Sequence, residues 1–470
     1  MINEQYDAVV IGGGSAGYAA TRTLTAGGMK VAVIDGAEEL GGLCILRGCM
    51  PSKTLIESAK RFSAIQEAGE FGINVEGSSI DIKKVFARKR FLIDDFKGYR
   101  QDQLENGKFT LIRGYAKFTS SHEMEVKTEE ETKLIKAKYF VIATGSSIFV
   151  PEIDGLKETG FITSDDVLED EILPESVTVL GGGAIALEMA YYYAASGSKV
   201  TVIQRSQQIL STMDADIANE LQLALEALGI TFYCGTKITS TSKTNGGLKA
   251  LHFTHDGESK TVESHEILCA LGRRANSHQI DCDAAGVELN RDKIIVNSKM
   301  QTSQEHIFAA GDICSPLDVV HIAIDHGEIA ADNALAIEKG ETSRLREVDY
   351  TAKLLGIFTE PQVATVGLTE VEAKERNLSF KVESYPFNDH GKSMVHGTEH
   401  GFVKIIAEVG TKKILGAAVV GPEGVELIHE LVVAISLGAT VDQLAKIPHY
   451  HPTLSEIWTY PAEDLADELA

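Results

Sequence analysis

Two cysteines, Cys44 and Cys49, lie five residues apart in the segment Gly41-Gly42-Leu43-Cys44-Ile45-Leu46-Arg47-Gly48-Cys49-Met50-Pro51-Ser52-Lys53. A pair this close can cycle between dithiol and disulfide. Pro51 suits a first helical turn. Apolar Leu55, Ile56, Ala59, Phe62 and Ile65 continue the helical pattern from Thr54 to Ala68. Both thiols therefore fall near a helix start, where the dipole favours a thiolate. A spacing of five does not align side chains on a regular helix, so a bridge needs a distorted turn, which Gly48 permits. Two other readings of the pair stay open: inert buried thiols, or metal ligands. A structural zinc needs four ligands, and the sequence has no CxxC and no nearby Cys/His pair. No metal is expected.

The segment Ile447-Pro448-His449-Tyr450-His451-Pro452-Thr453-Leu454-Ser455-Glu456 places His451 five residues before Glu456. A thiol enzyme needs a group that takes and returns a proton near neutral pH, and imidazole does so. A carboxylate on its other ring nitrogen fixes tautomer and orientation. Without the cysteines, a histidine and a glutamate at this spacing would read as structural.

These residues need elements to position them, and the chain repeats one phosphate-binding device. The apolar run Tyr6 to Ile11 predicts a buried strand, followed by Gly12-Gly13-Gly14-Ser15-Ala16-Gly17, a helix from Tyr18 to about Ala26, a strand from Lys30 to Ile34, and Asp35. Gly12 makes the tight turn, Gly14 lets backbone approach a pyrophosphate, and Gly17 lets the helix pack close to the strand. The phosphates would sit at the helix N-terminus, and Asp35 can accept from ribose hydroxyls. A Gly-rich turn without a ligand is the plain alternative.

The device recurs as a strand Ser176 to Leu180, the turn Gly181-Gly182-Gly183-Ala184-Ile185-Ala186, a helix Leu187 to Ser196 and a strand Lys199 to Ile203. Ala186 replaces the third glycine, which this position tolerates. Two dinucleotide sites in one chain suggest electrons passed between two cofactors. At the second acidic position stands Gln204, followed by Arg205. A carboxylate there would repel a 2′-phosphate, whereas a guanidinium can grip it. The second site leans to NADPH over NADH; a solvated Arg205 beside a ribose-binding Gln204 is the alternative.

Composition excludes several classes. The 470 residues are too many for one core, and 44% hydrophobic with 24% charged residues is ordinary for a globular chain. The net charge of −24 repels phosphate backbones and anionic lipid, so neither nucleic acid nor membrane is an expected partner. No apolar run approaches the roughly 18 residues of a membrane helix. The start, MINEQYDAVVIGGG, reads as a strand rather than a signal peptide. Six cysteines, four of them scattered, do not make a secreted disulfide framework, so a cytoplasmic protein is expected.

In GGGSAG, GGLCILRGCMPSK, VIATGSS, GGGAIALE, ALGRRAN, IFAAGDI, FTEPQVATVGLTE and HPTLSE, in that order, the chain resembles the FAD-dependent pyridine nucleotide–disulfide oxidoreductases of the glutathione reductase and dihydrolipoamide dehydrogenase type. The resemblance spans essentially the whole chain. It implies an α/β fold of two Rossmann-like dinucleotide-binding domains plus an α+β C-terminal dimerisation domain. It implies that Gly12, Gly14, Gly17 and Asp35 serve the FAD adenosine and pyrophosphate, Thr144 and Gly145 its ATG turn, and Asp312 the flavin ribitol. It assigns Gly181, Gly183, Ala186, Gln204 and Arg205 to NADP, with NAD possible. Cys44 would be the thiol that attacks a substrate disulfide, and Cys49 the thiol beside the flavin. Lys53 and Glu188 would form an ion pair near the flavin's reactive nitrogen. His451 and Glu456 would be the proton-transfer dyad, supplied in the family by the partner subunit, which implies a homodimer.

The activity implied is FAD-dependent NAD(P)H:disulfide (dithiol) oxidoreduction, most like dihydrolipoamide dehydrogenase, with a disulfide or dithiol substrate that includes a lipoyl carrier among its candidates. A glutathione-reductase-like or mercuric-reductase-like enzyme is the alternative. The second is disfavoured because no cysteine follows Cys314. A non-catalytic flavoprotein subunit is the alternative of another class, and it would need neither the cysteines nor the dyad. The expected domains are FAD-binding 1–150 with 276–345, nucleotide-binding 151–275, and interface 346–470. Departures from the family pattern are Leu43, Leu46-Arg47 and Ala275. Arg47, between the cysteines, raises the question of a cation favouring the thiolate, against a packed or solvated side chain. His321, His326 and His449 are expected to be structural, Tyr191-Tyr192-Tyr193 to be packing, and the acidic tail Glu463 to Ala470 to be frayed.

Overall fold

β-Branched runs that end in glycine build the parallel strands of the first unit. The computed structural model describes residues 2–398 and 400–470. Its contacts divide the chain into two compact units: 1–52, 87–149 and 273–348, and 53–86, 150–272 and 349–470.

In the first unit, parallel strands Thr110–Arg113, Val31–Asp35, Ile2–Ile11 and Thr132–Ile142 lie side by side, and Ile307–Ala309 joins the last of them. The antiparallel strands Glu123–Lys127 and Tyr115–Ser120 extend the sheet. Side chains alternate across it. Ala8 and Val10 pack on the helices Ser15–Ala26 and Val320–Glu338 with Ala20, Leu24, Ala330 and Ala334. Val9 and Ile11 face the other side with Phe118, Met124 and Val126. The helices approach closely: a Cβ on Gly327 would lie 2.2 Å from Ala16 O. Register matters most for the site. Ile11 pairs with Ile34 and Ile142, and Ala309 also pairs with Ile142. The carboxyl ends of the strands are therefore in line, and Gly12, Asp35, Ala143 to Gly145 and Ala310 to Asp312 emerge at one edge, where ligands bind in such sheets.

The second unit repeats the arrangement. Parallel strands Thr231–Tyr233, Lys199–Ile203, Ser176–Leu180 and Glu266–Cys269 align Ile203, Leu180 and Cys269, so Gln204, Gly181 and Ala270 share an edge. A three-stranded antiparallel sheet, Lys237–Lys243, Lys249–His255 and Glu258–Ser264, accompanies it. A five-stranded antiparallel sheet runs Leu354–Ile357, Gln362–Gly367, Ile414–Gly421, Phe402–Glu408, Phe380–Pro386. Helices His429–Ser436 and Thr459–Glu468 cover it through Leu431, Ile435, Ala462 and Leu465, around a buried Trp458. Tyr191, Tyr192 and Tyr193 are buried in the core of this unit, as expected of packing residues.

Some local expectations are corrected. The first nucleotide helix begins at Ser15, not Tyr18, and the second at Ala184, not Leu187, because the glycine turn itself supplies the first helical turn. The helix after the cysteines is Cys49–Gln66, which has Pro51 in its first turn as expected and ends two residues short of Ala68. The C-terminal segment is not frayed. It forms most of the helix Thr459–Glu468, held by buried Ala462 and Leu465 and by a Lys381–Glu468 ion pair. Acidic residues on its outer face hid an amphipathic pattern. Among the described residues, no helix is long and apolar enough to cross a membrane.

Candidate active site

Gly12 occupies the left-handed region at φ 103°, and its N–H donates to Ile34 O at 2.8 Å. A Cβ there would lie 2.3 Å from Ala143 O, so only glycine fits. A Cβ on Gly17 would lie 1.8 Å from Gly12 O, which explains how closely the helix Ser15–Ala26 approaches the turn. Around Gly14 the nearest atom to such a Cβ is 3.8 Å away, which leaves room for a ligand. The helix starts at Gly14 without a side-chain cap and without an acid in its first turn, so its first N–H groups can receive an anion. Asp35 is fixed by the same turn: Gly13 N–H donates to its Oδ2 at 2.8 Å and Ala37 N–H to its Oδ1 at 2.9 Å.

Asp312, on a short turn of 3₁₀ helix, accepts from Ser146 Oγ at 2.6 Å. Arg273 donates from Nε to Ser146 Oγ and from Nη2 to Ser146 O, both at 2.8 Å. Asn276 donates to Thr144 O at 2.9 Å, and its own N–H donates to Gly145 O at 3.0 Å. Sequence reasoning missed Ser146, Arg273 and Asn276 as supports, although they lie inside the motifs VIATGSS and ALGRRAN. The short antiparallel pair Ser146–Ile148 and Arg273–Ala275 brings them together. Thr144 Oγ1 and Asn276 Oδ1 are buried without a protein hydrogen-bond partner. Such groups are costly unless a ligand satisfies them. The uncapped helix start, the glycine cradle and these orphaned atoms fit FAD, which Gly12, Gly14, Gly17, Asp35, Thr144, Gly145 and Asp312 could hold.

Cys44 lies in the short helix Leu43–Arg47 and Cys49 opens the helix Cys49–Gln66; both are half-buried. Gly48 breaks the helix between them at φ −138°, ψ −115°, and a Cβ there would lie 2.9 Å from Leu43 O. This is the distorted turn that the spacing requires. Arg47 is exposed. Arg100, which the sequence did not single out, is a cation whose charge couples to Cys44. Its guanidinium stacks 4.1 Å from the Tyr18 ring centre. Burial lowers the Arg100 pKa, against the pull of Tyr18, Tyr99 and Cys44.

In the second unit Gly181, at φ 113°, repeats the role of Gly12: its N–H donates to Ile203 O at 2.9 Å, and a Cβ would lie 2.4 Å from Ala270 O. Space around Gly183 is open, Ala186 is buried, and the helix Ala184–Ala195 is uncapped with no acid in its first turn. The resemblance to the first turn ends at Gln204. Its side chain lies against Gly182 but donates to Gln208 O at 3.3 Å, and Arg205 beside it is exposed. No carboxylate occupies this place.

Glu188 is buried. It accepts from Lys53 Nζ at 2.9 and 2.8 Å and from Phe358 N–H at 3.0 Å, and Lys53 Nζ lies 4.5 Å from the Phe358 ring centre. Lys53 is one turn beyond Cys49 on the same helix. His451 Nδ1 is 3.1 Å from Glu456 Oε2. The His451 side chain is 81% exposed and that of Glu456 only 11%, so a buried carboxylate holds a ring whose Nε2 edge is presented outward. A second histidine, His390, touches the other oxygen, Oε1, at 3.2 Å. Of the histidines expected to be structural, His449 has its Nε2 2.7 Å from Glu430 Oε1. The acidic group Asp214, Asp216 and Glu370 is filled by the Lys404 ammonium, at 2.9, 2.8 and 3.1 Å.

Residues 6–327 match the family described as pyridine nucleotide-disulphide oxidoreductase, and residues 355–462 match its dimerisation domain. The chain is 34% identical to the dihydrolipoyl dehydrogenase of Bacillus subtilis (strain 168), over 96% of each chain. It is 31% identical to a mercuric reductase of Lysinibacillus sphaericus, over 97% of this chain and 82% of that one. Among solved structures it is similar to the Cu(II) complex of the HOCl-induced flavoprotein disulfide reductase RclA from Escherichia coli, with TM-score 0.86 and 26% identity over 98% and 99% of the two chains. Likeness over nearly the full length, to enzymes acting on sulfur groups, makes this an FAD-dependent disulfide oxidoreductase of dihydrolipoamide dehydrogenase-like type. The chain belongs to the pyridine nucleotide-disulfide oxidoreductase family, whose members use a flavin and a pyridine nucleotide.

Proposed function

We propose that the enzyme reduces an alkyl disulfide at the expense of NADPH, as a homodimer in which each Cys44–Cys49 pair works with the His451–Glu456 dyad of the other subunit. The observation that carries this reading is the dyad itself: an exposed imidazole held from behind by a buried glutamate.

When bound, FAD carries two electrons from the nicotinamide to the cysteine disulfide. The chain's own residues do the rest. Cys44 Sγ, as thiolate, attacks one substrate sulfur; the substrate S–S bond breaks as the Cys44–substrate bond forms. The departing sulfur takes a proton from His451 Nε2, while Glu456 stabilises the imidazolium that supplied it. Cys49, as thiolate, then attacks Cys44 Sγ; the Cys44–substrate bond breaks, the second substrate sulfur leaves as a thiolate that takes a proton from solvent, and the Cys44–Cys49 disulfide is restored. Run backwards, the same steps oxidise a dithiol. In this reading the Lys53–Glu188 ion pair serves the flavin's reactive nitrogen.

Gln204 and Arg205 support NADPH, with NADH as the weaker partner. The three-part division 1–150 with 276–345, 151–275 and 346–470 belongs to this reading. So does a reducing, cytoplasmic setting: Cys234, Cys269, Cys282 and Cys314 are outside disulfides, and burial raises all four thiols, Cys282 to about 11 and Cys314 to about 12, which keeps them inert. Among substrates a lipoyl group stands first, because relatives named dihydrolipoyl dehydrogenase are 34% identical over nearly the full length of both chains.

The decisive test is Cys44→Ser. It should abolish lipoamide turnover, a fall of more than about a thousandfold, while the protein keeps its flavin and the flavin is still bleached by NADPH. Retained turnover would overturn the assignment of Cys44.

A further inference from the structure

Glu456 is gripped from both sides. His451 takes Oε2 and His390 takes Oε1, from 66 residues earlier in the chain. His390 is completely buried, and its Nδ1 is 2.7 Å from the equally buried Ser393 Oγ. This order fixes the protons. An ionised carboxylate only accepts, so His390 Nε2 must carry the hydrogen that faces it. Ser393 O–H can then donate to Nδ1, and the whole chain Ser393, His390, Glu456, His451 is satisfied with one neutral imidazole inside it. Burial lowers the His390 pKa, partly opposed by Glu456 and reinforced by His451, which favours the neutral ring. The titratable groups facing His390 are Glu456 and His451 from the C-terminal segment and Tyr460 from the last helix, whose ring lies edge-on at 6.1 Å. The neighbouring Asp389 is turned away, onto Tyr385 Oη at 3.0 Å.

We infer that His390 is a positioning residue for proton transfer: its Nε2–H holds the second oxygen of Glu456, so that the buried carboxylate stays ionised and aimed at His451. The inference rests on His451 and Cys44 working together as proposed above. A carboxylate oxygen buried without a donor is expensive, and the group escapes that cost by protonating. Glu456 without His390 therefore stops supporting an imidazolium at His451, and the Cys44 thiolate loses the cation that favours it.

The readout is the pH dependence of iodoacetamide alkylation of Cys44 in the dithionite-reduced, flavin-loaded enzyme, which needs no substrate. His390→Phe should move the midpoint upward by about one pH unit, equivalent to tenfold less thiolate. His390→Asn, which restores an N–H donor, should leave the midpoint near that of the parent. Ser393→Ala frees the ring to present the wrong tautomer and should move the midpoint in the same direction as His390→Phe; it carries the test if the Phe variant does not retain flavin. If His390→Phe and Ser393→Ala leave the midpoint in place, or His390→Asn moves it as far as His390→Phe, the inference is wrong. His451→Asn is the reference: if it too fails to move the midpoint, the proposed His451–Cys44 partnership falls, and this inference with it.

Discussion

His326 is wholly buried in the helix Val320–Glu338, and burial pushes its imidazole from 6.5 down to about 4. Between these values the unfolded chain binds a proton that the native chain refuses. Stability is therefore full above about pH 6.5 and is lost as the pH falls toward about 4, where the loss levels off. The loss amounts to roughly 3 kcal/mol. Urea midpoints measured across that range should fall with pH for the parent and fall less steeply for His326→Leu; parallel curves would show that the group does not titrate abnormally. Single residues of this kind were only partly legible in the sequence. Cys44, Cys49, His451 and Glu456 could be read because each pair lies within one short segment. His390, Ser146, Arg273 and Arg100 could not, because their partners meet them only through folding: His390 reaches Glu456 across 66 residues and Arg273 reaches Ser146 across 127.

The glycine turns were legible as elements because their work is local. Gly12 and Gly181 both need a left-handed backbone against a carbonyl, and only glycine supplies it. Helix ends were less legible, since a turn that is already helical looks like loop sequence, and the C-terminal helix was hidden by its acids. The difference between the two turns carries a prediction. In the first, Gly13 N–H is tied to the carboxylate of Asp35. In the second, Gln204 leaves the corresponding place uncharged and Arg205 stands exposed beside it. A charge-assisted hydrogen bond to a 2′-phosphate contributes about 1.5–3 kcal/mol, which corresponds to roughly a ten- to hundredfold change in affinity. Arg205→Ala should raise the KM for NADPH by about that factor and leave NADH nearly unchanged. An equal effect on both nucleotides would place Arg205 outside 2′-phosphate recognition and return NADH to first choice.

The net charge of −24 sets what the whole molecule repels, and its exposed apolar side chains bear on the homodimer proposed above. Val433 and Leu437 lie four apart at the end of the helix His429–Ser436 and are 58% and 81% exposed. Glu430, one turn earlier, binds His449, whose sequence neighbours Ile447 and Tyr450 are also exposed, and His451 follows at once. Exposed apolar side chains close in sequence to the proposed acid are what a self-complementary interface would cover. The prediction concerns which chain completes which site. Cys44→Ser and His451→Ala should each be nearly inactive alone. If the dyad serves the other subunit, unfolding and refolding the two together gives mixed dimers in which one site joins an intact Cys44 to an intact His451. Random pairing then restores about a quarter of the parent activity. Leu437→Glu in both chains should abolish that recovery and appear as monomer in sedimentation. Recovery that never rises above the sum of the two inactive variants would mean that each chain uses its own dyad, and the shared site would have to be given up even if the dimer itself remained.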